Sequence, residues 1–289
     1  MHALKSRNVR EKEPLSHHTT MKVGGPASYF ATPENVQELQ SLIARLRKEH
    51  IRYVILGRGS NLIFSDKGYK GCVISLKKLM ALTFSGKRVR VGAGLPLSSL
   101  ILKCAAHNLS GLEKLIGIPA SVGGAVANNV GAYGVQTSDV LESVTVLTPQ
   151  GTKILPKSKL SFAYHRGMRG HIIVEATFKL VSKPNTFIQA TIKQTLIYRT
   201  QTQPLSEPSA GSTFINPKSR KAWQLIEAAG LKGFQKGGAK VSEHHANWIV
   251  NTGNATSRDI VWLIRHIQKT VKKKSGVLLQ PEVEIIPYD

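Results

Sequence analysis

The sequence predicts an α+β fold, in which short strands and amphipathic helices follow one another without a repeat. Three observations predict it. Residues 29–56 show a strand–helix–strand pattern, and residues 72–180 contain several short strand-like runs around one helix. Beyond residue 183 the periodicity changes mainly to that of helices.

The change near residue 183 also predicts the domain organisation. Lys183-Pro184-Asn185 is a linker-like sequence. We therefore expect a two-part first region over 1–183, split near residue 75, and a C-terminal α+β domain over 184–289. The last strand is expected to return toward the first region. A chain of 289 residues is long enough for such domains to have real cores.

The first elements can be placed in order. Residues 29–31 form a predicted strand, and Thr32, followed by Pro33, is the expected N-cap of a helix. Residues 53–56 form the next strand, whereas residues 1 to about 14 are expected to be loosely ordered. Apolar residues at helical spacing predict the buried face of the helix: Val36, Leu39, Leu42, Ile43 and Leu46.

The middle of the chain is predicted to be mostly β-structure. A helix is expected over 97–106, and a hairpin turns at Pro149-Gln150-Gly151. The predicted strands cover 72–76, 88–93, 144–147, 152–155 and 172–180.

The C-terminal part is predicted to contain two helices and a final strand over 276–287. One helix covers 222–229 and ends at Gly230. The other opens with Thr256 and Asp259, which resemble a capping box. Its predicted buried face consists of Ile260, Leu263, Ile264, Ile267 and Val271.

The composition excludes several classes of protein. Lys and Arg number 40 against 17 Asp and Glu, so the net charge is +23, which attracts anions. These charges are scattered and no nucleic-acid-binding signature accompanies them, so we expect small anionic ligands. No apolar run approaches the roughly 20 residues that span a bilayer, and the N-terminus lacks the apolar region of a secretory signal. Two cysteines fit reduced thiols in the cytoplasm.

Two glycine-rich stretches indicate a ligand site. Residues 117–134, GIPASVGGAVANNVGAYG, carry no charge, and residues 56–61, LGRGSN, follow a strand-like segment. Clustered glycines permit positive φ and let backbone N–H groups approach an anion. Neither stretch is a GxGxxG motif or a P-loop. Together they indicate one long phosphate-bearing cofactor, with a small-residue packing seam as the alternative for 117–134.

Six blocks of the chain resemble those of one known family, the UDP-N-acetylenolpyruvoylglucosamine reductases (MurB). They follow the family's order and cover nearly the whole chain, and no long insertion interrupts the C-terminal half, as in the family's compact type II subclass. The blocks are TTMKVGGPA (19–27), LGRGSNLIFSDKGYKG (56–71), GIPASVGGAVANNVGAYG (117–134), QPLSEPSAGSTFINP (203–217), IEAAGLKGFQKGGAKVSEHHANWIVN (226–251) and GVLLQPEVEI (276–285).

The resemblance implies a cytoplasmic flavoprotein of peptidoglycan synthesis, and hence of cell-wall biogenesis, cell shape and division. Its first region would bind FAD in the manner of the vanillyl-alcohol-oxidase (PCMH-type) flavoenzymes, and its C-terminal domain would bind substrate. NADPH would reduce FAD, which would then reduce UDP-N-acetylglucosamine-enolpyruvate to UDP-N-acetylmuramate. We expect a monomer that has no membrane or nucleic-acid partner.

The resemblance also assigns site residues block by block. The cofactor-binding residues would be Gly24, Gly25, Gly57, Gly59, Ser60, Asn61, Ser121, Gly123, Gly124 and Gly131. The substrate-binding residues would be Tyr164, Arg199 and Asn216. The glycines fit donation of backbone N–H groups to a pyrophosphate.

Three residues would carry the catalysis. Ser212 lies in the block that holds the family's proton-donating Ser, although spacing alone favours a turn or N-cap role. Glu282 matches the family's catalytic Glu, and Gln280 is the position to which that match could slip. Solvated carboxylates on a strand are the ordinary alternative.

The third catalytic residue, an Arg, departs from the family's pattern. The family has Phe-X-Tyr-Arg-X-Ser, whereas this chain has His165 after Tyr164 and Arg166 one place late. Either a strand bulge brings Arg166 into place or His165 substitutes. We favour Arg166, because an enolate needs a permanent cation. Ile215 is a second departure, since the family commonly has Lys there.

Two rival functions remain as hypotheses. One is a different flavoenzyme on the same scaffold, such as a hydroxy-acid oxidase, which the presence of the Ser212 and Glu282 blocks disfavours. The other is a basic nucleic-acid-binding protein without a chromophore. We predict no metal site, because the adjacent His244 and His245 point in different directions and no HExxH motif or Cys cluster is present.

Overall fold

The computed structural model describes residues 7–218 and 220–289. The described part contains six α-helices: α1 (Val36–Lys48), α2 (Leu97–Ala106), α3 (Val122–Asn128), α4 (Asn185–Thr202), α5 (Ala222–Ala228) and α6 (Ser257–Ser275). Single 3-10 turns lie at Leu15–His18, Glu113–Leu115, Thr137–Asp139 and Lys157–Lys159. This mixture of helices and sheets confirms the predicted α+β class.

The strands are short. In chain order they are β1 (Val9–Pro14), β2 (Pro26–Ala31), β3 (Tyr53–Leu56), β4 (Leu62–Phe64), β5 (Tyr69–Ser75), β6 (Leu82–Ser85), β7 (Arg88–Gly92), β8 (Leu109–Ser110), β9 (Gly131–Ala132), β10 (Val135–Gln136), β11 (Leu141–Thr148), β12 (Gly151–Pro156), β13 (Ile172–Lys179), β14 (Val181–Ser182), β15 (Ser209–Ser212), β16 (Gln235–Lys236), β17 (Ala239–Val241), β18 (Trp248–Asn251) and β19 (Glu284–Ile286).

The strands form three larger sheets. Their strand orders are β1–β2–β5–β3, β12–β11–β13–β7–β6 and β15–β18–β17–β16. Smaller pairs are β10–β9, β14–β8 and the parallel pair β19–β4. The chain packs as two compact units. The first comprises the described residues up to Arg10, Tyr29–Arg58 and Gly71–Tyr198, and the second comprises Glu11–Ser28, Gly59–Lys70 and Arg199–Asp289.

The core of the first unit lies against the five-stranded sheet. Burial follows an approximate two-residue period in its strands β7 and β13, as expected for strands with one covered face. Burial of one such side chain, for example Phe178, contributes about 1.5–3 kcal/mol. The apolar faces of three helices join this core through Leu39, Ile43, Leu46, Leu97, Leu100, Ile101, Val122 and Val126.

The core of the second unit is built around α6. Thr256 caps this helix by accepting the N–H of Asp259, whose carboxylate accepts the N–H of Thr256 in return. The helix ends at Gly276, whose φ is +74°. The five predicted apolar positions of α6 are all buried, and they pack with β17, β18 and α5. The predicted capping box and buried face are therefore confirmed.

Three local predictions are wrong. The N-cap of α1 is Asn35, whose side chain accepts the N–H of Glu38, and not Thr32. Residues 1 to about 14 were expected to be loosely ordered, but residues 9–14 form strand β1. Residues 1–6 lie outside the described part. The final strand covers only Glu284–Ile286, because residues 280–282 bond instead with residues 213–215.

The boundaries of the compact units differ from the predicted segments. The sequence places one division near residue 183, whereas packing places it after Tyr198 and groups Glu11–Ser28 and Gly59–Lys70 with the C-terminal part. The last strand pairs with β4, residues 62–64, which the sequence assigned to the first region. The functional partition into an FAD-binding region and a substrate domain stays a prediction.

Candidate active site

Ser212 is the last residue of β15 and lies opposite Trp248 of β18. The preceding residue, Gly211, has φ +74°, and a Cβ there would meet nothing within 4 Å, so Gly is required for its backbone conformation and not for space. The Ser212 side chain is half-buried, and no hydrogen bond to its hydroxyl occurs within the part of the chain that the structure describes. Its hydroxyl can therefore interact with a ligand.

The segment of Glu282 runs beside the segment that follows Ser212. The Glu282 N–H donates to the carbonyl of Thr213 at 2.8 Å, and the Ile215 N–H donates to the carbonyl of Gln280 at 2.9 Å. These bonds place the two predicted catalytic residues in neighbouring segments of one unit, although 70 residues separate them along the chain.

Asn61, a predicted cofactor-binding residue, contacts the same segment from the other side. Its side-chain Nδ2 donates to the Glu282 carbonyl at 3.2 Å, and its own carbonyl accepts the N–H of Glu284 at 2.9 Å. The parallel pairing of β4 with β19 continues this contact. Three residues from three distant blocks, Asn61, Ser212 and Glu282, thus come together in the second unit.

Two of the predicted substrate-binding residues also belong to this unit. Arg199 lies in the last turn of α4 and is only 5% exposed. Asn216 accepts the N–H of Ala222, the first residue of α5, through its Oδ1 at 2.9 Å. Asn216 therefore has a structural role at the start of a helix, which the sequence did not indicate.

Gly25 and Gly59 of the second unit are required by close backbone packing. A Cβ on Gly59 would lie 2.1 Å from the His18 carbonyl oxygen, and one on Gly25 would lie 2.1 Å from that of Asp66. The Gly25 N–H already donates to Ser65. By contrast, the N–H groups of Gly59, Ser60 and Asn61 have no acceptor among the described residues, so they can face an anion.

The glycine-rich stretch of the first unit contains helix α3. Ser121 is its N-cap and accepts the Gly124 N–H at 3.2 Å, while the Gly123 N–H donates to the carbonyl of Ala93 at 2.8 Å. A Cβ on Gly57 would lie 2.6 Å from the Ser121 Oγ, and one on Gly131 would lie 2.9 Å from Gln136 Cγ.

These observations test whether the residues fit FAD. The N–H groups of Gly25, Gly123 and Gly124 are used within the fold, and the roles of these residues in cofactor binding stay predictions. The space that a Cβ would take at Gly57 and Gly123 is filled by Ser121 and Ala93, whereas the N–H groups of residues 59–61 remain as donors for an anion. The residues therefore fit a dinucleotide cofactor through a smaller set of donors than the sequence suggested.

The predicted arginine site is a tight turn and not a strand. Ala163 and Arg166 exchange backbone hydrogen bonds of 2.9 and 3.0 Å, which leaves Tyr164 and His165 at the tip. His165 has φ +52°, and its ring meets that of Tyr164 edge-on at 4.2 Å. Tyr164 and Arg166 are exposed. The strand bulge that was expected to bring Arg166 into place is therefore absent, and the choice of Arg166 over His165 stays a prediction.

The comparisons with known proteins agree along the chain. Residues 203–286 match the family described as UDP-N-acetylenolpyruvoylglucosamine reductase, C-terminal domain, and residues 27–154 match the family described as FAD binding domain. The reductase of Halalkalibacterium halodurans is 41% identical over 99% of this chain and 97% of its own, and that of Bacillus licheniformis is 43% identical over 96% and 94%.

The chain belongs to the UDP-N-acetylenolpyruvoylglucosamine reductase family. The crystal structure of the MurB reductase from Thermus caldophilus superposes with a TM-score of 0.84 at 35% identity and covers 96% of this chain and 100% of its own. The resemblance read from the six blocks is confirmed. The protein is an FAD-dependent oxidoreductase.

The cysteines and histidines of this reductase offer no alternative chemistry. Burial raises the pKa of the Cys72 thiol and of the Cys104 thiol to about 12, so neither is a nucleophile near neutral pH. Burial also lowers the pKa of His245, while His244 contacts the carbonyl of Gln201. Within residues 7–218 and 220–289, no group of three or more His, Cys, Asp or Glu could hold a metal, and no helix could span a membrane.

Sequence reasoning did not find Asn247, which bonds the residues that follow Ser212. It is 3% exposed, and its side chain makes two hydrogen bonds to the backbone of Phe214. The available signal was its place in the strand-like sequence ANWIVN, where a buried amide needs partners of its own.

Proposed function

We propose that this protein uses NADPH to reduce UDP-N-acetylglucosamine-enolpyruvate to UDP-N-acetylmuramate, and so supplies a precursor of peptidoglycan. The observation that carries the proposal is the pairing of the Ser212 and Glu282 segments through the bond from the Glu282 N–H to the Thr213 carbonyl. It places the segments of Ser212 and Glu282 side by side, and a different flavoenzyme on the same scaffold would not need this pair.

The family resemblance carries over the residues that would contact FAD: Gly24, Gly25, Gly57, Gly59, Ser60, Asn61, Ser121, Gly123, Gly124 and Gly131. Among them, the N–H groups of Gly59, Ser60 and Asn61 are the donors that the fold does not use. FAD, when bound, accepts a hydride from NADPH and delivers it to the enolpyruvyl double bond. The protein's own contribution is position and electrostatics.

The protein's residues would complete the reduction of the substrate. Hydride adds to the terminal carbon of the enolpyruvyl group, and the electron pair of the double bond moves onto the carbon beside the carboxylate. Arg166 and Glu282 would stabilise this enolate, Arg166 as a permanent cation and Glu282 as a protonated acid. Ser212 would donate its hydroxyl proton to that carbon, and solvent would then restore the hydroxyl.

Substrate binding would use Tyr164, Arg199 and Asn216. The chain's charge of +23 favours association with a nucleotide sugar, because long-range attraction steers anions to the protein. Ile215 cannot provide the charge that the family's Lys brings to this block, so Arg199 or a nearby Lys would have to supply it. We further propose that the protein is a cytoplasmic monomer, which cell fractionation and sedimentation would test.

The test is an anaerobic absorbance titration of the purified protein. NADPH should bleach the yellow FAD spectrum, and UDP-N-acetylglucosamine-enolpyruvate should restore it. Bleaching without recovery would leave a flavoenzyme and overturn the substrate. A protein that cannot take up FAD and binds DNA or RNA in a salt-dependent manner would overturn the whole proposal.

A further inference from the structure

The buried amide of Asn247 extends the ladder where strand β15 ends. Its Oδ1 accepts the Phe214 N–H at 3.0 Å, and its Nδ2 donates to the Phe214 carbonyl at 2.8 Å. Its backbone carbonyl accepts the Thr213 N–H at 2.7 Å. A side-chain amide has the donor and acceptor of a peptide group, so Asn247 acts as one more strand residue beside the two residues after Ser212.

The segment that Asn247 holds is the same one on which Glu282 docks. The Thr213 carbonyl accepts the Glu282 N–H at 2.8 Å, and Phe214 forms a β-bridge with Pro281. Residues 213–214 thus have Asn247 as a partner on one side and the Glu282 segment on the other. A change in the position of 213–214 moves Ser212 by covalent connection and Glu282 by hydrogen bonding.

We propose that Asn247 is a positioning residue that sets the separation of Ser212 and Glu282. The inference rests on the proposed function, in which Ser212 delivers the proton and Glu282 stabilises the enolate. Without the amide, the Phe214 N–H and carbonyl would be buried without partners, and residues 213–214 would shift to reach others. Proton delivery requires accurate placement of donor and carbon, so such a shift slows this step.

The experiment compares Asn247→Ala with Asn251→Ala in the FAD-loaded enzyme. Asn251 is a matched control, because it lies on the same strand, is 5% exposed and bonds the backbone of Met21, Gly253 and Ala255 through its side chain. Bound flavin is measured first, so that both variants are compared at equal cofactor occupancy. Stopped-flow absorbance then follows flavin reduction by NADPH and flavin reoxidation by substrate separately.

We expect Asn247→Ala to slow flavin reoxidation about 10- to 100-fold, since misplacement by about 1 Å can cost that much. Flavin reduction by NADPH should change less than about 3-fold, and Asn251→Ala should leave both rates near wild type. The Asn247→Ala effect should become smaller in a Ser212→Ala background, because the part that acts through the Ser212 hydroxyl is lost once that hydroxyl is gone. Hydrogen exchange of the Phe214 amide should accelerate in Asn247→Ala and not in Asn251→Ala.

The outcomes separate this inference from the proposed function. Equal slowing by both Asn variants, or an undiminished Asn247→Ala effect in the Ser212→Ala background, would show a merely structural role and overturn the inference. Normal flavin reoxidation in Ser212→Ala alone would overturn the proposed role of Ser212. If Ser212→Ala is slow and Asn247→Ala reoxidises normally, only the positioning role fails.

Discussion

Two of the three segments that the family resemblance assigns to catalysis, those of Ser212 and Arg166, are held in different ways. Ser212 ends a sheet strand, and the residues after it are bonded on one side to Asn247 and on the other to the segment of Glu282. Arg166 belongs to an exposed turn that is closed by its bonds with Ala163.

The difference shows which catalytic group the fold holds in an accurately defined position. Groups that transfer a proton must be placed to a fraction of an ångström, and a doubly bonded segment supplies that placement. A guanidinium that stabilises spread-out negative charge acts over a longer range, so an exposed turn is sufficient to present it. We therefore expect substitutions in the two segments to differ in kind as well as in size.

The largest effect is expected for Ser212→Ala. If Ser212 is the proton donor as proposed, its loss should slow flavin reoxidation by substrate by about 10²–10⁴-fold, which is the usual contribution of general acid catalysis. Flavin reduction by NADPH should remain within about 3-fold of wild type, since no proton is delivered to substrate in that step. Stopped-flow absorbance measures both rates, and Thr213→Ser, a neighbouring hydroxyl, serves as the control. A loss confined to flavin reduction would place Ser212 on the NADPH side of the reaction.

The next largest effect on flavin reoxidation is expected for substitutions in the turn of residues 163–166. Arg166→Ala should slow flavin reoxidation by about 10²-fold with flavin retained, because removal of one charge-stabilising donor typically costs 10²–10³-fold. His165→Ala should change the same rate less than about 3-fold. Arg166→Lys should recover part of the rate, since an exposed turn lets an ammonium reach the same charge. A large loss in His165→Ala with a normal Arg166→Ala enzyme would reverse the assignment at these two positions.

Substitutions that change the backbone conformation of the two segments are expected to have smaller effects, and these effects are on the free energy of unfolding. Gly211→Ala places a side chain at φ +74°, and the left-handed conformation should reduce the free energy of unfolding by about 1 kcal/mol. His165→Gly removes a side chain from φ +52°, and the relief of strain should nearly offset the added freedom of the unfolded chain. Urea unfolding midpoints of the two variants measure this difference. A neutral Gly211→Ala would mean that the segment before Ser212 relaxes without cost.

The sequence predicted most of the local structure because local signals determined it. The boundaries of β3 and α2, the hairpin of β11 and β12, and the cap of α6 follow from hydrophobic periodicity and turn residues within short windows. The helix start at Asn35 was missed because Thr32-Pro33 is an equally good local signal, and packing decided between them.

The site was only partly predictable for a different reason. The blocks of Ser212 and Glu282 could be found, but their pairing, and the contact of Asn61 with Glu282, depend on chain segments far apart in sequence. The role of Asn247 is not visible as a motif, because a buried Asn shows its function only through the backbone groups that it bonds. The turn at 163–166 was misjudged as a strand, since the family pattern alone does not specify the backbone there.

The smallest effect tests whether stability of the second unit and placement of Ser212 are separable. Thr256→Ala removes the cap of α6 and should lower the free energy of unfolding by about 1 kcal/mol, with no change in flavin reoxidation. Hydrogen bonds from Thr256 lower the pKa of Asp259 below its ordinary value of 3.8. A depressed carboxyl pKa gives stability that is present above pH 4 and lost as the pH falls through the folded-state pKa. The deficit of Thr256→Ala, measured by urea unfolding from pH 7 to pH 3, should therefore shrink on acidification, and Asp259→Asn should abolish that trend. A slower flavin reoxidation in Thr256→Ala would show that the placement of Ser212 depends on α6 as a whole and not on its local ladder.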